Sequence, residues 1–321
     1  MNQRENTLRA IFRQSPQWVP TSTEAIVFIY PPVCERPSCA GKDIFGCEWL
    51  LGESVHTGTH PAHGHYVITD VTQWREQLSI PDLSQCDWTQ AREQAQQIDR
   101  SQYLVSGFIE MGIFERLYLL MGMEEALMAY YTDGDDMYEL AGAIADYKIE
   151  FLKKYHEDVH MDILWYGDDW GTQTNLFISP EKWRKIIRPH TQRIYDCAKS
   201  LGIIVNQHSC GKIESILGDL TQMGADCWNP CQPCNDLAAL KQRYGDKICF
   251  IGGVDSQFVL DNPLATPADV EAEVKRRMDE MALPNGGYLV APSHDVPYHP
   301  EKLEAMQRTI REYGRQIYQQ K

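Results

Sequence analysis

The feature that most limits what this chain can fold into is a repeat in its second half. From about residue 160 the sequence cycles through a helical pattern, a glycine and a short β-rich run, and four such cycles are legible. Ser179-Pro180 supplies an N-cap and a proline at the first helical position of a pattern ending near Gly202, after which IIVNQ (203–207) reads as a buried strand. A helix from about Lys212 to Gly224 precedes the short run Asp226-Cys227-Trp228. Asn235 or Asp236 caps a helix that ends at Gly245, and KICFIGG (247–253) follows it. Thr266-Pro267 opens a further helix with Asp269 in its first turn, and Gly286-Gly287 leads into YLVAP (288–292). Strands alternating with helices at this spacing imply a parallel sheet.

Three earlier runs, IVFIY (26–30), YLVSGF (103–108) and DILWYG (162–167), bring the count to seven strands and favour closure over an open sheet. The expected fold is therefore a (β/α)8 TIM barrel, a single domain spanning residues 1–321, a length such barrels commonly reach. The eighth strand has no clear place in the sequence. An open doubly wound sheet is the runner-up, but no G-x-G-x-x-G follows any strand, so its usual nucleotide signature is missing. Residues 31–102, rich in Pro, His, Gly and polar side chains, are expected as loops and short helices covering one barrel mouth, and Pro300 to Tyr318 as a closing helix.

In a parallel barrel the chemistry sits where strands end and loops begin. Here five successive strand exits carry Asp, His, Cys or Asn: Gly167-Asp168-Asp169-Trp170, Gln207-His208-Ser209-Cys210-Gly211, Asn229-Pro230, Gly252-Gly253-Val254-Asp255 and Pro292-Ser293-His294-Asp295. His208 and Cys210 are two residues apart, so in an extended chain both side chains point to the same side. Imidazole nitrogen with thiolate suits zinc, and a catalytic zinc needs only three protein ligands. The alternative is a His bonded to a neighbouring carboxylate beside a buried Cys. His294 is the expected third ligand, from a strand end converging on the same mouth. Asp168 and Asp255 are candidate catalytic groups, by acid–base chemistry or by orienting a ligand or substrate, although an Asp at a strand exit also caps helices. Trp170, Asn229 and Ser293 are candidate substrate contacts. Cys231 and Cys234 in NPCQPC read as loop thiols sooner than a redox pair, because no second C-x-x-C completes a four-sulfur site. His56, His60, His63 and His65 read as a solvated loop in their Gly/Pro/Thr setting.

Composition excludes some classes of function. A formal charge of -15 and no Lys/Arg stripe argue against nucleic acid as a partner. The opening MNQRENTLRAIFRQSPQWVP lacks the apolar core of a signal peptide, and no run approaches the roughly 18 apolar residues that span a bilayer, so a cytoplasmic protein with no membrane partner is expected. Ten cysteines in that context read as free thiols or metal ligands.

The motifs RENTLRA (4–10), KDIFGCEW (42–49), GIFERLYLLMG (112–122), YGDDWGTQ (166–173), QHSCGKI (207–213), GADCWNP (224–230), FIGGVDSQ (250–257) and GYLVAPSHDVP (287–297) occur in an order that resembles the uroporphyrinogen decarboxylase superfamily. Within it the resemblance is to the cobalamin-dependent methyltransferase branch, and it runs nearly end to end. It implies a (β/α)8 barrel that binds zinc through an H-x-C pair, here His208 and Cys210. The implied reaction moves a methyl group between a small methylated substrate, or a thiol, and a corrinoid (cobalamin) carried by a partner protein. Two departures stand out. The coenzyme M methyltransferases of that branch place a further Cys near the last strand, where this chain has Ser293-His294-Asp295. The decarboxylases carry an Arg-rich N-terminal substrate motif that this chain lacks. A metal-free decarboxylase, or a barrel that binds a corrinoid or tetrapyrrole without turnover, are the competing readings.

Overall fold

Seven strands form one parallel sheet in the computed structural model, which describes residues 1–52, 58–294 and 299–318. They are β1 (Ile26–Ile29), β5 (Leu104–Ile109), β6 (Ile163–Gly167), β7 (Ile204–His208), β8 (Cys227–Asn229), β9 (Cys249–Val254) and β10 (Tyr288–Pro292), each paired with the next in sequence order. Three short strands, β2 (Gly41–Lys42), β3 (Glu48–Leu51) and β4 (Thr59–Pro61), form a separate antiparallel sheet. All seven expected barrel strands are present within one or two residues. The eighth position is taken by a seam: Thr21 bridges Val290 in parallel, and the Val290 N–H donates to the Pro20 carbonyl at 2.9 Å. The last strand is thus tied to the chain that enters the first one by a single bridge.

The capping chemistry accounts for the helices. Ser179 Oγ accepts from the Lys182 N–H, Asp236 from Ala239, and Thr266 with Asp269 forms a reciprocal capping box. The helix expected from Lys212 begins only at Leu217, because residues 209–216 are drawn into the loop that carries Cys210. Within residues 31–102 one feature was not expected, the antiparallel sheet. Besides that sheet these residues hold Thr89–Gln96, the helix returning the chain from β1 to β5, with Ala91 and Ala95 buried. Strands of two to four residues, mostly open to solvent, carry no period that a sequence could show.

Along each barrel strand alternate side chains face the lumen. The first inward layer, Ile26, Leu104, Ile163, Ile204, Cys227, Cys249 and Leu289, packs with Ile251 and with Ala10 and Ile11 of the helix Gln3–Ile11 into its own apolar cluster. This layer plugs the lumen, so chemistry is confined to the other end. A second contact locks residues 31–52 to the barrel body: fully buried Arg116 bonds Asp43 Oδ2 at 2.6 Å and the Glu35 carbonyl at 3.1 Å, and Lys148 pairs with Glu35. Among the described residues no helix is long and apolar enough to cross a membrane.

Candidate metal centre

Above the plug the inward positions turn polar. On β7, Asn206, His208 and, two residues on, Cys210 share one side; on β8 the inward residue is Asn229; beyond β6 it is Asp169. His208 Nε2 lies 3.5 Å from Cys210 Sγ and 3.5 Å from Asp169 Oδ1. The ligand atoms of the three residues all fall within 4.8 Å of one another, the one such group among the described residues. Asp169 is held in place because its Oδ1 accepts the Cys210 backbone N–H at 2.7 Å.

The imidazole is fixed in one tautomer. Trp165 Nε1, which can only donate, points at Asn229 Oδ1 at 3.2 Å, and Asn229 Nδ2 donates to Asn206 Oδ1 at 2.7 Å. The oxygen facing His208 Nδ1 at 2.8 Å is therefore the carbonyl, so Nδ1 carries the proton and the Nε2 lone pair faces Cys210 and Asp169. The loops after β6 and β7 press together backbone to backbone. A Cβ on Gly211, whose φ is +78°, would stand 2.2 Å from the Gly171 backbone, and Lys212 N donates to the Thr172 carbonyl at 2.8 Å. This crossing sets the position of Cys210 relative to Asp169.

The residues fit zinc. Bonds of about 2.0–2.2 Å to imidazole and carboxylate and about 2.3 Å to thiolate, at tetrahedral angles, put neighbouring donors about 3.4–3.6 Å apart. The His208–Cys210 and His208–Asp169 separations of 3.5 Å match that edge. Electrostatics points the same way. Burial pushes the Cys210 thiol well above its ordinary range and His208 below its own, and Asp169 raises Cys210 further. Burial also drives the Glu115 carboxyl well up, with Asp169 and Asp168 adding repulsion. A cation among these groups relieves all of them together by favouring thiolate and carboxylate.

Several expected site residues stand elsewhere. Asp168 is fully buried, its carboxylate accepting the Phe114 and Glu115 N–H groups at 3.1 and 2.9 Å, so it caps the helix Ile113–Met121; burial raises its pKa to about 6. Trp170 packs edge-on against Trp183 in the core at 5.0 Å. Asp255 caps the turn that follows β9 by accepting from the Phe258 N–H, and Ser293 Oγ accepts from the Ser256 N–H; both line a cavity of about 510 Å³. His294 lies on the wall of that cavity and of a larger one, close enough to His208 for its charge to be felt, but outside the three-residue group. Asp295 and His56 lie outside the described residues. All ten cysteines are free; Cys231 is buried and donates to the Trp228 carbonyl at 3.3 Å.

The larger cavity, about 640 Å³, has His208, Cys210 and Asn229 on its wall. An aromatic row runs along it from the metal end: Trp165 tilts over the His208 ring at 4.4 Å, Phe108 stacks on Trp165 at 4.4 Å, and Tyr30 and Phe28 meet Phe108 edge-on at 5.2 and 6.1 Å.

Fold and site together define an α/β-barrel protein whose lumen carries an Asp/His/Cys donor set at the end of an aromatic cavity. The chain belongs to the uroporphyrinogen decarboxylase (URO-D) family, whose model matches residues 46–313. It is similar to the methylcobamide:CoM methyltransferase MtaA of Methanosarcina barkeri, 28% identical over 139 residues, and to the protein of the same name from strain Fusaro, 27% identical over 139 residues. Each match covers 42% of this chain and 38% of the relative, so it spans well under half of either protein. The solved structure of a methyltransferase from Methanosarcina mazei shares the fold, with a TM-score of 0.74, 16% identity, and coverage of 98% of this chain and 99% of that one.

Proposed function

We propose that this protein is a zinc-dependent methyltransferase that moves a methyl group between a small methylated compound, or a thiol, and a corrinoid carried by a partner protein. The observation that carries the reading is the Asp169–His208–Cys210 group, with a tautomer-locked imidazole whose separations from the other two donors match a tetrahedral ion, opening onto a cavity of substrate size. The methyltransferase relatives support it, as does the poverty of cations on that cavity's wall. A porphyrinogen's several carboxylates would need more than the single arginine found there, Arg311.

In this reading His208 and Cys210 are metal ligands. Asp169 is the third donor, and His294, which lines the same cavity as His208, is the candidate for the remaining position. Zinc, when bound, would act as a Lewis acid toward the methyl-bearing heteroatom or lower the pKa of an acceptor thiol. The chain's own residues do the rest. Asn229 holds the His208 proton at Nδ1, and the Cys210 amide holds Asp169. Asp168 acts at one remove, by fixing the helix that carries Glu115, while Asp255 and Ser293 shape the neighbouring cavity. The aromatic row excludes water from one side of the reacting atom.

The test is metal content of the purified protein beside the His208→Ala/Cys210→Ala double variant, together with methylation of a reduced corrinoid followed by its absorption spectrum. About one zinc per chain, absent from the variant along with methyl transfer, is the expected result. No zinc in the wild type after reconstitution contradicts the reading and favours a metal-free decarboxylase.

A further inference from the structure

The larger cavity does not stop at the metal ligands. It continues to the seam between β10 and β1, where its wall is formed by Thr21, Ser22, Thr23 and one face of the helix Pro300–Gln316: Met306, Gln307, Ile310 and Arg311. These four fall at i, i+1, i+4 and i+5, so they form one stripe. The seam's single bridge leaves room for this extension, and Gly314 of the same helix packs directly on Val19.

Arg311 is the feature of that end that calls for a ligand. In a chain with 45 acidic and 30 basic residues, most arginines are paired; Arg308, one turn away on the same helix, bonds Glu271. Arg311 has no ion-pair or hydrogen-bond partner among the described residues. Its i±3 and i±4 neighbours are Gln307, Arg308, Gly314 and Arg315, none of them acidic, and among the described residues none that lines this end of the cavity carries a carboxylate. A guanidinium left free on the wall of an aromatic cavity matches a carboxylate, which it can bind by two parallel N–H···O bonds. The opposite preference is disfavoured. Aromatic rings alone would also attract a methylammonium, but a free cation facing the same space repels it.

We infer that the cavity binds an anionic, planar methylated compound of the methoxybenzoate type, its carboxylate held by Arg311 at the barrel seam and its methyl-bearing end directed to Asp169, His208 and Cys210. The inference rests on the methyl-transfer reading for the fate of the methyl group, but the anion subsite stands on its own geometry.

The test is calorimetric titration of zinc-reconstituted full-length protein with 3-methoxybenzoate and with the uncharged 3-methoxybenzyl alcohol, in wild type, Arg311→Gln and Arg311→Lys. The carboxylate should bind about tenfold more tightly than the alcohol in wild type, in line with a charge-assisted hydrogen bond reduced by partial exposure. Arg311→Gln should abolish that preference and leave the alcohol unchanged, while Arg311→Lys should keep part of it. Equal binding of the two probes, no binding of either at millimolar concentration, or a preference that survives Arg311→Gln overturns the subsite. Zinc content and corrinoid methylation of the same preparations separate the two ideas. Normal values with no carboxylate preference sink the subsite alone, and an Arg311-dependent preference in a protein that takes up no zinc sinks the methyl-transfer reading alone.

Discussion

Replacing Asn229 by Ala tests whether His208 is prepared for a metal by its surroundings. In the native site Asn229 Oδ1 accepts from His208 Nδ1 at 2.8 Å and from Trp165 Nε1 at 3.2 Å, and Asn229 itself is oriented by Asn206. Alanine removes the one hydrogen-bond partner of Nδ1 among the described residues, so the ring is free to rotate or to take up the other tautomer. Loss of such a supporting bond typically weakens metal binding by about 10–100-fold. At about 1.4 kcal/mol per decade this is roughly 1.4–2.8 kcal/mol. Two half-buried N–H groups also lose their acceptor, which costs at most about 1–3 kcal/mol of stability, so the unfolding midpoint is measured alongside to confirm that the variant is folded at the assay temperature. The assay is competition for zinc against a chromophoric chelator at fixed pH. Asn229→Asp, which keeps an oxygen facing both donors, should recover most of the affinity. An Asn229→Ala dissociation constant within about twofold of wild type, against the expected decade or more, would refute the argument that this hydrogen bond fixes the ligand.

Three further outcomes follow from the structure. Asp169→Ala should weaken zinc binding more than His294→Ala in the same competition assay, because only Asp169 lies within the three-donor group; the reverse order would make His294 the third ligand. Arg116→Ala should lower the unfolding free energy by about 3–5 kcal/mol, since it leaves the buried Asp43 carboxylate without its cation; chemical denaturation showing a loss under about 1 kcal/mol would contradict this. Burial lowers the Lys241 pKa from 10.5 to about 8, so between those values the unfolded chain binds more protons than the folded one. Wild-type stability relative to Lys241→Met should therefore rise across that window, by at most roughly 1.4 kcal/mol per pH unit, and a flat difference would show that the buried ammonium is not destabilising.

The barrel was legible because its strands are buried runs bounded by glycine and its helices open on Ser179, Asp236 and Thr266, signals that act within a few residues. The seam was not legible, because closure there depends on one bridge at Thr21, and a single pairing leaves no pattern. His208 and Cys210 were found by their spacing of two. The same reasoning, carried two residues past β6, would have found Asp169: it continues the inward series Ile163, Trp165, Gly167, whereas Asp168 and Trp170 continue the outward series Leu164, Tyr166 and end in the core. Both aspartates make hydrogen bonds to backbone amides, and only strand parity tells the ligand from the cap. Glu115 could not be found in this way. It sits in the first turn of a helix that reads as ordinary amphipathic sequence, and what ties it to the site is the bond from its backbone N–H to Asp168.

Zinc K-edge X-ray absorption of the wild type beside Cys210→Ser tests whether a metal is held by one sulfur and by nitrogen and oxygen at the top of this barrel. One sulfur scatterer at about 2.3 Å with the remaining ligands at about 2.0–2.2 Å, and loss of the sulfur shell in the variant, are expected. A zinc environment with no sulfur, with more than one, or unchanged by Cys210→Ser would contradict that ligation.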